Sequence, residues 1–203
     1  MNLIRYIGSQ FSSPRGLGGK LSTYLMNRLN QKQYQSVIAL FHERKPTHVL
    51  DIGFGNGYLL ERLSKKSSAY FHGIEASDDM IRQATKRNAE MIERGRMSLC
   101  RGDVVDMEFQ DASFDFVYTV NTVYFWSDFK KGYSEVYRTL KPGGVFANLF
   151  YSKEWLDSLE YTKYDFKKYT KDEIMEELAE MRFSKVECIE LKKDSAYCLL
   201  TWK

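Results

Sequence analysis

Proline, cysteine and histidine are all scarce in this chain of 203 residues, at 3 of each. So little proline excludes collagen-like and Pro-rich low-complexity classes. Three cysteines (Cys100, Cys188, Cys198) are an odd number with no C-x-x-C pair, which disfavours a disulfide framework and a Cys-type zinc site. A reducing, cytoplasmic compartment is the expectation. The histidines His42, His48 and His72 have no partner four residues away and no adjacent cysteine, so no metal site is expected. The longest apolar run, Val37 to Phe41, is about five residues against the ~20 of a membrane helix. The opening MNLIRYIGSQFSS lacks the apolar core of a signal peptide, so neither span nor leader is expected.

What is present describes a globular domain. Hydrophobic residues make up 43% and charged residues 28%, which argues against wholesale disorder. A chain of this length can hide roughly 70% of its unfolded surface and needs no staple. The net charge of +3 is unevenly placed: residues 1–46 carry seven basic groups (Arg5, Arg15, Lys20, Arg28, Lys32, Arg44, Lys45) and one acid, Glu43. Such a cluster steers an anionic partner or forms a solvated face, and is too sparse for a nucleic-acid footprint by itself.

Short apolar runs alternate with helical patterns, the signature of a βα series and a mostly parallel sheet. Strands are predicted at His48 to Ile52, Tyr70 to Glu75, Met97 to Arg101, Phe114 to Val120 and Val145 to Phe150. Helices are predicted from Tyr58, Leu59, Leu60 and Leu63; from Met80 through Ile81, Ala84 and Asn88 to Met91, capped by Ser77; and from Phe129 to Leu140, stopped by Lys141-Pro142-Gly143-Gly144. Thr170 and Glu173 have capping-box spacing before Ile174, Met175, Leu178 and Met181. Two final runs, Lys185 to Leu191 and Ala196 to Trp202, are close enough to pair antiparallel. Two amphipathic stretches, Leu21/Tyr24/Leu25/Leu29 and Tyr34/Val37/Ile38/Phe41, precede the first strand. The expected fold is α/β: a Rossmann-like doubly wound sheet of seven strands, mostly parallel, with a C-terminal antiparallel hairpin and helices on both faces.

The chemistry-bearing residues sit at the strand tips. Asp51-Ile52-Gly53-Phe54-Gly55-Asn56-Gly57 ends a strand in glycines and passes into a helix, which brings bare backbone to a ligand. The dinucleotide pattern G-x-G-x-x-G would need glycine at position 58, which is tyrosine. Glu75 ends the second strand, where a carboxylate can accept from both ribose hydroxyls of an adenosine sulfonium cofactor or of NAD. Asp103 and Val104 follow the third strand as an acceptor for an adenine amine and a ring cover, or as a turn. Asn121 follows the fourth strand, ahead of the aromatic cluster Tyr124-Phe125-Trp126. Asn121 and Tyr124 have the outer spacing of a base-flipping N-P-P-Y loop but lack both prolines, so nucleic-acid methylation is disfavoured.

VLDIGFGNG, the acid in GIEAS, RGD followed by FDFVYTVNTVYFW, and LKPGG before a strand together resemble the successive motifs of class I S-adenosylmethionine-dependent methyltransferases. The chain is most similar to the type 11 group that includes the quinone-biosynthesis enzymes, over about residues 46–150. Pro14 to Gly19 and on to Met26-Asn27 is similar to the lead-in of bacterial members. The resemblance implies a methyltransferase with S-adenosylmethionine as cofactor. Gly53, Gly55 and Gly57 would line its methionine portion, with Asp51 helping to hold the amino group. Glu75 would hold the ribose, Ala76 and Val104 would flank the adenine, and Asp103 would accept from its amine. The Asn121 backbone carbonyl would sit near the methionine ammonium. Phe54 is given only loop packing. No catalytic residue is assigned, because the activated cofactor leaves mainly positioning to the protein.

Tyr124 and Trp126 are candidates to face the sulfonium or the acceptor with their rings. The chain is expected to be one methyltransferase domain over 1–203: a helical cap at 1–45, a cofactor core at 46–150, and a substrate-side segment with the hairpin at 151–203. Acceptor choice belongs to 1–45 and 151–170. The aromatics Tyr151, Trp155, Tyr161, Tyr164, Phe166 and Tyr169 suit an apolar or planar small molecule, and the basic cap suits an anionic one. The alternatives are a non-catalytic cofactor-binding module acting through a partner, a methyltransferase of protein or nucleic acid, and a nicotinamide oxidoreductase.

Overall fold

A computed structural model of the chain describes residues 27–65, 67–163 and 166–203. The Leu21/Tyr24/Leu25 stretch, the glycine-rich lead-in, Arg5, Arg15, Lys20 and Tyr164 lie outside the described residues. Helix α1 (Gln31–Arg44) precedes β1 (His48–Ile52), α2 (Tyr58–Ser64), β2 (Tyr70–Glu75), α3 (Asp78–Arg87), α4 (Ala89–Glu93), β3 (Met97–Arg101) and β4 (Phe114–Val120). A 3-10 turn (Val123–Phe125) leads to α5 (Phe129–Thr139), β5 (Leu140–Tyr151), α6 (Lys153–Asp157) and a second 3-10 turn (Glu160–Lys163). Then come α7 (Lys171–Ala179), β6 (Lys185–Lys192) and β7 (Ala196–Trp202).

The strands form one seven-stranded sheet in the order β3-β2-β1-β4-β5-β7-β6. The first five strands run parallel; β7 lies antiparallel between β5 and the edge strand β6. Strand alternation divides the apolar residues between the two faces. Phe114, Val117, Phe146 and Phe150 pack with Tyr133 and Val136 of α5 and with Ile174 and Leu178 of α7. Phe116, Tyr118, Val145, Ala147 and Leu149 pack instead with Val37 and Phe41 of α1 and with Leu59, Leu60 and Leu63 of α2. Both faces are thus covered, as a parallel sheet requires.

Caps and one ion pair fix the joints. The Ser77 and Asp128 side chains accept from the N–H groups of Met80 and Lys131, and Thr170 and Glu173 form the expected capping box. Each such cap contributes about 1 kcal/mol. Asp115 of β4 accepts from Thr47 N, His48 N and Lys141 Nζ at 2.7–3.1 Å, tying the start of β1 to the first residues of β5. Those donors and the Lys141 charge outweigh its burial and hold the carboxyl at about 2.

Two expected elements differ. The helix expected through Met91 breaks at Asn88, whose side chain leaves the helix surface to donate to Gly57 O and Ala84 O. Leu140 starts β5 and does not end α5. Lys141 to Gly144 then bulge within the strand, because Phe114 pairs with Leu140 while Phe116 pairs with Val145. Gly143 N and Gly144 O bond to Lys203, so the turn is held as an extension of the sheet.

Candidate functional site

The strand order reverses between β1 and β4, and the carboxyl ends of β1 to β4 open there into a cavity of about 220 Å³. The β1–α2 loop forms its floor. Gly53 N donates to Ile74 O at 2.8 Å, which lays the loop across β2. Gly53 has φ +74° and faces the Thr122 methyl, so a side chain there would meet both backbone strain and a collision. Gly55 has φ +54° and nothing where its Cβ would be. Its bare backbone borders the cavity directly, as close ligand approach requires. Gly57 does not border the cavity; it caps α2 and packs against Ala84 and Asn88. Phe54 is buried and its ring packs on Gly73 of β2.

Three carboxylates surround this floor. Glu75 Oε2 accepts from Gly55 N and Oε1 from Ser77 N, each at 3.0 Å, so the residue both braces the loop and faces the cavity. Burial raises the pKa of its carboxyl against the opposing pull of these amides. Asp51 is 3% exposed and receives the Tyr118 hydroxyl at 2.8 Å from the neighbouring strand. Burial pushes its carboxyl up to about 8, opposed by that hydrogen bond and reinforced by the Glu75 charge. Asp103 is exposed, and its Oδ1 accepts from Val105 N at 3.2 Å. Ala76, Val104, Asn121 and Trp126 also border the first cavity. Trp126 is 4% exposed, donates to Thr122 Oγ1 and covers Gly132 of α5.

Asn121 organises the boundary. It holds the left-handed conformation at φ 59°, and its side-chain amide pairs twice with Gln33, at 2.8 and 3.0 Å. It also donates to Asn30 Oδ1 and accepts from the Tyr124 hydroxyl. This knot docks α1 on the β4 tip. Beyond it lies a second cavity of about 150 Å³ bordered by Asn30, Tyr124, Tyr151, Trp155, Tyr161 and Phe166 among others. Asn121 and Phe125 border both cavities. Tyr124 thus faces the second cavity and Trp126 the first.

Asn30, Gln33, Tyr34 and Phe125 received no site role from the sequence. A signal existed for Gln33: it lies four residues before Val37 on the buried face of α1, and a polar residue at 1% exposure needs a partner. Among the described residues no group of three or more metal-binding side chains is present, and no helix is long and apolar enough to cross a membrane.

Residues 49–144 match the family model of a methyltransferase domain. An uncharacterised methyltransferase of Bacillus subtilis, YdaC, is 30% identical over 144 residues, covering 70% of this chain and 77% of that protein. The chain belongs to the class I S-adenosylmethionine-dependent methyltransferases. Sterol 24-C-methyltransferase erg-4 of Neurospora crassa is 33% identical over 118 residues, which is 58% of this methyltransferase but 30% of that protein. A crystal structure of an S-adenosylmethionine-dependent methyltransferase from Aquifex aeolicus superposes with a TM-score of 0.69 at 20% identity, over 86% of this chain and 92% of that one, and so shares the fold. S-adenosylmethionine is the cofactor of this methyltransferase. The open face of Gly55 and the carboxylates of Asp51 and Glu75 fit a ligand carrying an ammonium and paired hydroxyls.

Proposed function

We propose that this methyltransferase transfers the S-adenosylmethionine methyl group to a small molecule held in the second cavity. The adjoining walls at Asn121 and Phe125 carry this reading. When bound, S-adenosylmethionine supplies an electrophilic methyl carbon on a positively charged sulfur. Gly53 and Gly55 cradle its methionine portion, Gly57 sets the start of α2 beneath them, and Asp51 neutralises the amino group. Glu75 accepts from the ribose hydroxyls while keeping its bonds to Gly55 and Ser77, since each carboxylate oxygen has a second lone pair. Ala76 and Val104 flank the adenine, Asp103 accepts from its amine, and the Asn121 carbonyl faces the ammonium.

On the acceptor side Tyr124 is held by Asn121 and by the backbone of Tyr151, so its ring is a fixed wall. Lys167 ties the covering segment down by donating from Nζ to the carbonyls of Trp126 and Ser127. Such fixed walls align the two reactants, and alignment can account for ~7–11 kcal/mol of the barrier. Residues from 27–34, 51–126 and 151–166 build adjoining cavities, which supports one methyltransferase domain with α1 as its cap.

A small molecule is favoured over nucleic acid because none of the described side chains bordering the second cavity is basic, whereas phosphate binding depends on such groups. The sterol methyltransferase relatives agree with an apolar acceptor. The test supplies methyl-labelled S-adenosylmethionine together with a lipid and metabolite extract, total RNA, or unfolded protein. Label in the small-molecule fraction is expected; label in RNA or protein would overturn the reading.

A further inference from the structure

We infer, on the reading that the second cavity holds the acceptor, that this acceptor is a neutral amine or thioether, which yields no proton to the protein and leaves as a cation among aromatic rings. Among the described residues the cavity's border contains no Asp, Glu, His, Lys or Arg side chain. The acids of the site, Asp51, Glu75 and Asp103, all border the first cavity. His48 and His72 stack on each other at 6.4 Å in β1 and β2, His42 is exposed on α1, and none borders either cavity. Residues 1–26 contain no Asp, Glu, His or Cys.

The Tyr124, Tyr151 and Thr162 hydroxyls at the border are committed to the protein. Tyr124 contacts Asn121 and the Tyr151 backbone, Tyr151 donates to Leu29 O at 3.1 Å, and Thr162 donates to the carbonyls of Leu156 and Leu159. Burial also raises the Tyr124 and Tyr151 hydroxyls, the latter to about 12, so neither takes a proton at neutral pH.

The electron count then limits the acceptor. A lone pair on nitrogen or sulfur forms the new bond to the methyl carbon, and the pair of the broken carbon–sulfur bond returns to the cofactor sulfur. The cofactor loses its sulfonium charge and the acceptor gains one positive charge. No charge is created and no proton moves. An alcohol or phenol would need a base in this step, and a carboxylate or thiolate would enter a cavity whose described side chains offer it no counter-charge, leaving the cofactor's sulfonium as its one partner, which is costly.

The rings suit the other case. Phe125 lies 4.8 Å from Phe166, edge to face, and 6.0 Å from Tyr124, and Phe125 reaches both cavities. Ring faces attract a cation as its charge develops. Trp155 already carries one, Lys192 Nζ at 4.1 Å from its ring centre, which leaves the Phe125, Phe166 and Tyr124 group for the acceptor.

The test is calorimetric, on the full chain saturated with S-adenosylhomocysteine, using three phenyl probes: phenyltrimethylammonium, its neutral isostere tert-butylbenzene, and the anion benzoate. The ammonium is expected to bind roughly tenfold tighter than the neutral isostere, with benzoate weakest, and Phe166→Leu to narrow the first ratio. Equal binding of all three, or tightest binding of benzoate, would overturn the proposal. Methyl transfer to phenol in preference to thioanisole would do the same. So would loss of transfer in Asp165→Asn with cofactor binding intact, since that segment would then supply a base. Failure of S-adenosylhomocysteine itself to bind would overturn the first-cavity assignment instead.

Discussion

If Asp51 holds the cofactor ammonium, as proposed, cofactor binding should be a proton-linked event. The Asp51 carboxyl is withdrawn from water between β1 and β4, its strongest partner is the neutral Tyr118 hydroxyl, and burial pushes it up to about 8. At pH 6 the free protein therefore holds this group protonated, and ionising it costs about 2.7 kcal/mol at 1.36 kcal/mol per unit. A cofactor ammonium favours the ionised form, so binding should expel the proton. Between about pH 5.5 and 7 the ligand's amine stays charged, and S-adenosylmethionine affinity should rise nearly tenfold per unit. It should peak near pH 8, where the Asp51 transition meets the loss of the ligand amine's own proton, and fall above it. Titration calorimetry in buffers of different ionisation enthalpy reads the proton directly: close to one released per site at pH 6 in the native chain, and none in Asp51→Asn. The variant should also bind independently of pH in this window, and at pH 8 more weakly by about 1.5–3 kcal/mol, the loss of a hydrogen bond to a charged group. A native affinity that is flat from pH 5.5 to 7, or equal proton release from Asp51→Asn, would refute the assignment of Asp51 to the ammonium.

Glu75→Ala should weaken S-adenosylmethionine binding by at least about 1.5–3 kcal/mol, and by more than Glu75→Gln, because only the alanine removes every acceptor for Gly55 N and Ser77 N; equal affinities in calorimetry would contradict this. Gly53→Ala and Gly55→Ala should separate fold from site. Both adopt a left-handed backbone that costs a non-glycine residue roughly 1–3 kcal/mol, but only the first also meets Thr122, so it should unfold at lower urea while Gly55→Ala mainly loses cofactor affinity. Asp115 has the opposite pH signature to Asp51. Its folded carboxyl is held at about 2, below its unfolded value, so its contribution is present above about pH 4 and lost as pH falls toward 2. After solvent screening this amounts to about 1 kcal/mol, and Asp115→Asn should flatten that part of the acid unfolding curve.

The border of the first cavity was legible because each strand announces the polar residue at its tip. In a parallel sheet covered on both faces, His48–Ile52, Tyr70–Glu75, Met97–Arg101 and Phe114–Val120 read as near-continuous apolar runs, and a polar residue at such a tip stands out. Asp51, Glu75, Asp103 and Asn121 are all of this kind. Helix ends were less legible, since side-chain partners decide them: Asn88 interrupts an apolar period by bonding to Gly57, a residue 31 positions away. The LKPGG turn has the composition of a helix stop, but its membership in β5 depends on Lys203 at the far end of the chain.

The second cavity, the proposed acceptor site, could be read only as a composition. Its wall joins Leu29, Tyr124, Tyr151, Trp155 and Phe166, which no local period relates. The aromatic richness of 151–169 was visible; that its rings would meet those of the β4–α5 loop was not. The link between the two halves is the amide knot of Asn121, Gln33 and Asn30, whose members are individually unremarkable polar residues. Their meaning comes from burial: an amide pair spanning 88 residues at the junction of two cavities fixes the cap helix at one height above the sheet. On the proposed assignment of the two cavities, that height sets the separation of cofactor and acceptor, which is the quantity that a reaction governed by alignment depends on most.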